Sequence, residues 1–218
     1  RDLRMSRGLG DVYKRQVLTH GAGMLLGLTA IVVLMMAAIR SGNPWAVGSF
    51  AVYAVCMTLS YVTSTFYHAS THARQKRLLR RFDHSAIYLH IAGTYTPFTL
   101  VALRQEGYWG WSLFAIVWIA AVVGVWLSFR KMKKKDHLKT VCYLAMGWVV
   151  IIAFKPLLYV FRETGSMDVL YWLIGGGLFY TVGSLFFFLD KYKYMHPVWH
   201  FFVLGGSVCH FISIYLLV

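Results

Sequence analysis

The chemistry in this chain is carried by histidine. His196-Pro197-Val198-Trp199-His200 opens the last apolar stretch, which then runs to Val218 without a charged residue. On an α-helix the two imidazoles stack on one face, one turn and about 6 Å of rise apart, a gap that a single metal ion can bridge. Histidine at the end of a membrane helix costs desolvation free energy, so a pair there calls for a compensating interaction. Another imidazole, His68, closes an earlier apolar stretch and shares a helix face with Ser64 at i, i+4. Asp83 stands at the start of the next stretch. Three imidazoles and a water complete the tetrahedral shell of a catalytic zinc. Zinc brings the pKa of such a water to about 7 and so supplies hydroxide at neutral pH. Asp83 could orient or deprotonate that water, and Ser64 could hold it or a substrate oxygen. The competing readings are a structural zinc, or a polar cluster that ties helices together without metal. For Asp83 alone a third reading is capping, because the macrodipole favours a carboxylate at a helix N-terminus.

These residues need elements to bring them together, and the composition says which. The chain has 218 residues, is 58% hydrophobic and only 14% charged, against about a quarter charged in soluble domains. Seven apolar stretches, 17–39, 44–67, 83–103, 108–129, 138–160, 168–189 and 197–218, each approach the roughly 20 residues needed to cross a bilayer. They are solid runs rather than alternating ones, so helices are expected and a β-barrel is not. The fold expected is all-α, a seven-transmembrane helical bundle with short loops.

The net charge of +14 raises nucleic acid as a partner, and its distribution argues against that. Arg74, Lys76, Arg77, Arg80 and Arg81 fill the second loop; Arg130, Lys131, Lys133, Lys134, Lys135 and Lys139 the fourth; Lys191 and Lys193 the sixth. The odd-numbered loops hold only Arg40, Arg104 and Arg162. Positive residues mark the cytoplasmic side, which puts the N-terminus inside and the C-terminus outside. Tyr192 and Tyr194 fit an inner aromatic belt; Trp45, Tyr108, Trp109, Tyr171 and Trp172 fit an outer one. The expected partners are membrane lipids, with anionic headgroups at the basic loops. This topology places His68, Asp83, His196 and His200 at one cytoplasmic level, although histidine took no part in setting it.

The remaining polar residues have plainer readings. His20, at the mouth of the first span, is either a hydrogen-bonded interfacial histidine or a group that braces the site or contacts the substrate. His72 falls among charges and is expected to be solvated. His90 lies two turns deeper than Asp83 and reads as an interhelical hydrogen-bonding residue. His210 lies nearly three turns beyond His200, too far to share its metal. Thr94-Tyr95-Thr96-Pro97 reads as a proline kink whose freed carbonyl finds a local donor. Lys155-Pro156 reads as a snorkelling lysine beside a kink, with a lipid phosphate as the alternative. Gly23 with Gly27, Gly175 to Gly177, and Gly205-Gly206-Ser207 mark close helix packing. Cys56, Cys142 and Cys209 form no CxxC pair and read as reduced packing residues. If the last helix begins at Pro197, His196 sits in its cap and must reach round.

Residues 1–16 are polar, basic and unlike the rest, with no apolar core of a signal peptide. The run Ser6 to Gln16 resembles translated adapter read-through, so 1–16 is expected to be a non-native leader and 17–218 the membrane domain.

Ser64-xxx-His68, Asp83 and His196-xxx-His200, in this order on seven spans, resemble the hemolysin III family. That family is the bacterial branch of the progestin and adipoQ receptors, and it is similar to the alkaline ceramidases. The resemblance covers residues 17–218. It implies zinc on His68, His196 and His200, with Asp83 and Ser64 beside it as the catalytic pair and His20 supporting them. It also implies a bacterial inner-membrane location. The family's first motif carries Glu, then Asn, then His; here His20 fits, while Tyr13 and Gln16 occupy the other two places. The function expected is metal-dependent hydrolysis of a lipid amide or ester, with substrate entering sideways from the bilayer. The alternatives are a pore-forming cytolysin and a non-enzymatic receptor or sensor with a structural zinc. Proton-coupled transport through His90 and His210 is weaker, because no chain of acids crosses the midplane.

Overall fold

The structure is a computed structural model that describes residues 22–130, 137–189, 192 and 194–218, without the side chains of His137, Leu138 and His196. Every regular element among the described residues is helical. They are α1 (Ala22–Arg40), α2 (Pro44–Ala69), α3 (Ala73–Pro97), α4 (Trp109–Phe129), α5 (His137–Gly147), α6 (Phe154–Glu163), α7 (Met167–Phe188) and α8 (Met195–Tyr215). A 3-10 segment, Trp148–Ala153, joins α5 to α6, so these three make one span. Among the described residues, six spans are long and apolar enough to cross a membrane. The exception is α3, whose first turns carry Arg74, Lys76, Arg77, Arg80 and Arg81.

That helix corrects the sequence reading in one respect. The basic run is not a loop: Ala73–Phe82 is built from good helix formers without glycine or proline, and it continues straight into the apolar half. The residue that precedes the helix is His72, exposed as expected. Asp83 therefore lies more than two turns inside α3, and capping no longer accounts for it.

Consecutive spans run in opposite directions. At one end, Trp45 at the start of α2 meets Trp111 at the start of α4 (ring centres 5.7 Å), and Arg104 stacks on Trp45 at 4.8 Å. At the other, Phe82 meets Phe129 at 5.4 Å, and Phe187 of α7 meets Trp199 of α8 at 5.5 Å. This second end holds the basic run of α3, Arg74 to Arg81. The core between them is built on large side chains such as Phe50, Tyr53, Met57, Leu34 and Ile214, all fully buried.

Close packing of α1 on α2 depends on two glycines. A Cβ on Gly23 would collide with the Tyr61 ring, and one on Gly27 would come within 2.6 Å of the Thr58 hydroxyl. Gly176 of α7 likewise makes the space that the His210 ring fills. Gly177, by contrast, has nothing beside it. The three cysteines are free, as expected.

At both prolines the α-helix gives way to another helical form, and polar groups bond the backbone around each. After Pro97 the helix widens into a π-helical turn, Phe98–Ala102. Hydroxyls of Thr94, Thr96 and Thr99 donate to the carbonyls of His90, Ala92 and Tyr95 at 2.8, 2.9 and 3.1 Å. Ahead of Pro156 the fifth span breaks into its 3-10 segment, and Tyr95 repairs the break from across the bundle. Its phenol donates toward the carbonyls of Met146 (3.2 Å) and Gly147 (2.7 Å) and accepts from the Val150 N–H at 2.9 Å. Backbone groups freed inside an apolar bundle must find such partners, because no water is there to supply them.

Candidate functional site

The candidate site lies at the basic end, where α2 ends, α8 begins and α3 passes between charge and hydrocarbon. Helical periodicity puts Ser64 and His68 on the inward face of α2 with Tyr61 one turn deeper; Ser64 and Tyr61 are buried. His68 meets His200 of α8, with ring centres 5.3 Å apart and the planes perpendicular. The Tyr67 ring packs at 4.8 Å on His68, and Lys76 lies 5.7 Å above Tyr67. The Ser64 hydroxyl donates to the half-buried Asp83 carboxylate, and Arg80, one turn back on α3, lies within charge range of it. His84 points the other way and ties α3 to α5, its Nδ1 lying 3.1 Å from the Tyr143 hydroxyl.

All of these except Lys76 line one cavity of about 480 Å³. It begins at Ser64, His68, Asp83 and His200, with Arg80 and Lys139 at the same end. It runs past His90, Tyr180 and His210 and ends on Phe98, Leu113, Leu157 and Leu170. Those last four side chains are buried, at 4% exposure or less.

Of the residues singled out from sequence, Ser64, His68, Asp83 and His200 are brought to one place. The other two lie apart from what can be described: His20 falls outside the described residues, and for His196 only the backbone is inside them. That backbone corrects one expectation. The helix α8 starts at Met195, so His196 is already helical and shares a helix with His200. Pro197 sits in the first turn, where its missing N–H would have had no acceptor. His210, whose position suggested packing or a hydrogen bond, lies 3.3 Å from the Leu173 carbonyl of α7, and both it and His90 also line the cavity, as do Tyr67, Tyr180 and His84. Period counting back from Ser64 would have found Tyr61; nothing in spacing alone marks Tyr180, which reaches the cavity from α7.

Zinc can be tested against this geometry. Two imidazoles that share a tetrahedral ion at N–Zn of about 2 Å hold their ring centres roughly 5 Å apart, and His68 and His200 are 5.3 Å apart. Among the described residues, no three His, Cys, Asp or Glu side chains gather as a set that could hold a metal; the third expected ligand, His196, is not among the described side chains. The two visible imidazoles fit the ion, with Asp83 and Ser64 beside them in the same cavity.

Comparison with known proteins gives the family. The model of the family described as "Haemolysin-III related" matches residues 15–211. The chain belongs to this family. Within it, the chain is 42% identical to "Hemolysin-3" of Bacillus cereus over 197 residues, 90% of this chain and 87% of the relative. It is also 42% identical to the "Hemolysin-3 homolog" of Bacillus subtilis (strain 168), over 90% of both chains. A more distant similarity, 28% over 170 residues, links it to human "Monocyte to macrophage differentiation factor", covering 75% of this chain and 68% of that one. A haemolysin-III-related chain with six apolar membrane-length helices is a multi-pass integral membrane protein.

Proposed function

We propose that this haemolysin-III-related protein is a zinc-dependent hydrolase of a lipid amide or ester, acting at the cytoplasmic face of a bacterial inner membrane. The observation that carries the reading is the perpendicular pair His68–His200 at the polar end of a long, mostly apolar cavity, with Asp83 and Ser64 beside it. His68, His196 and His200 would hold the metal. Zinc, when bound there, supplies a Lewis acid and a source of hydroxide at neutral pH.

The rest of the chemistry belongs to the chain. Asp83 accepts the proton of the attacking water and later returns it to the leaving amine or alcohol. Before that transfer, the single proton of the Ser64 hydroxyl is committed to the carboxylate. Once Asp83 is protonated it becomes a donor to Ser64, which frees the serine proton to turn toward the developing oxyanion. Ser64 thus orients the base first and stabilises charge second. The apolar walls hold the lipid chain and keep bulk water from the reacting end.

Turnover of a lipid amide and a lipid ester by purified protein, with elemental analysis of the same sample, tests this. One zinc per chain is expected. His68→Ala and His200→Ala should lose metal and turnover together, while Asp83→Asn keeps the metal and loses at least about a hundredfold in turnover. Loss of metal in His200→Ala with turnover unchanged overturns the reading.

The hemolysin names of the two Bacillus relatives favour a second reading, membrane lysis. A monomeric pore needs polar lining along its whole depth, and here the far end of the cavity is lined by the apolar Phe98, Leu113, Leu157 and Leu170. Dye release from liposomes that survives zinc chelation would support lysis over hydrolysis.

A further inference from the structure

Halfway along the cavity a second polar group has no role in the site above. His90 of α3 and His210 of α8 are 7% and 8% exposed, and both line the cavity. They flank the Tyr180 ring, 6.4 Å and 5.4 Å from its centre. The hydroxyls around them are satisfied among themselves. Tyr61 donates to the Ser207 oxygen at 2.8 Å, and the Tyr180 hydroxyl pairs with the same oxygen at 2.7 Å. Tyr53 is turned to Met57 and to the Ser207 carbonyl. Thr94 donates to the carbonyl of His90, not to its ring.

Two imidazole nitrogens are left over. His90 Nε2 and His210 Nδ1 are buried without a hydrogen-bond partner among the described residues. The tautomer of His210 follows from its other contact. Its Nε2 lies 3.3 Å from the Leu173 carbonyl, and a carbonyl only accepts, so Nε2 carries the hydrogen and Nδ1 of the neutral ring is an acceptor. Buried groups of this kind are seldom left unpaired without a functional reason. What completes them must be neutral, since the cavity's charged residues, Arg80, Asp83 and Lys139, lie at its polar end. Asp83 and His90 are seven residues apart on one helix, roughly 10 Å of axial rise. The completing group must also donate a hydrogen bond to His210 Nδ1. A ketone or ester carbonyl cannot do that; a hydroxyl can, and it can accept from His90 as well.

We propose that the middle of the cavity is a hydroxyl-binding subsite, at which His90 and His210 hold the mid-chain hydroxyl of a lipid chain threaded from the polar end. The inference rests on the cavity and its orphaned nitrogens, and it stands whether or not the polar end hydrolyses lipids.

Binding to the full-length protein in nanodiscs tests it, by competition against a fluorescent fatty acid. The probes are stearic acid, a hydroxystearic acid substituted near mid-chain, and the corresponding ketostearic acid. The hydroxylated chain should bind roughly tenfold more tightly than stearic acid, the worth of one net hydrogen bond. The keto chain, which can accept from His90 but cannot donate to His210, should show at most part of that gain. His210→Phe, if it elutes and melts like the parent, should remove the preference, whereas His200→Ala should leave it in place. Equal binding of the three chains by the unmodified protein overturns the proposal and leaves the nitrogens to water. A gain shared in full by the keto chain overturns it too.

Discussion

A hydroxyl has one proton, and where Ser64 spends it decides what the serine is for. In the resting protein it goes to Asp83, so the first consequence of removing it falls on the base. Ser64→Ala should retain metal and substrate affinity and lower kcat by roughly ten- to a hundredfold, the range of one hydrogen bond to a charged partner. A raised KM with unchanged kcat would instead place Ser64 against the substrate alone. The same scale shows what spacing could and could not reveal. Ser64 with His68, and His196 with His200, are legible because helical periodicity needs only the interval between them. That His68 would stand 5.3 Å from His200, 132 residues further on, could be inferred only through a topology drawn from unrelated residues, the arginines and lysines. Tyr180 and His84 escaped notice because nothing near them in sequence distinguishes them from ordinary aromatic and polar packing.

At the scale of helices, composition located the spans within a few residues and misjudged where one begins. Charge marks the membrane boundary, not the end of a helix, so the basic run Arg74–Arg81 read as a loop although it is the first third of α3. The reading of Asp83 changed with it. Proline located both breaks but could not name their remedy, which comes from outside the broken helix. Tyr95 makes three bonds to the interrupted fifth span. Tyr95→Phe strands two carbonyls and an N–H in apolar surroundings and should destabilise the protein by about 1–3 kcal/mol, seen as a lower melting temperature in detergent with the helical content of the native state unchanged. Gly27→Leu should act more severely, because the Thr58 backbone as well as its hydroxyl lies in the way; α1 would have to part from α2, and the yield of monodisperse protein measures that.

For the whole molecule the open question with the widest reach is which way round it sits. The site shares its end of the bundle with Arg80, Lys139 and Arg130, and the tryptophans Trp45 and Trp111 occupy the opposite end. Positive residues are retained on the cytoplasmic side, so the cavity should open toward the cell interior. In a cysteine-free background, Tyr108→Cys should react with a membrane-impermeant maleimide on intact cells, and Arg130→Cys only after permeabilisation. Both positions are exposed, so a reversed pattern would invert the orientation rather than report on burial.

The floor formed by Phe98, Leu113, Leu157 and Leu170 does more than close the bundle. A tunnel with a blind bottom works as a gauge. Whatever tail enters from the polar mouth meets that floor at a fixed depth, and carbons beyond it must turn aside, past the exposed side chains of Ile151, Phe154 and Ile174 that also line the cavity. Selection by tail length would then be set by four side chains that never approach the reacting bond.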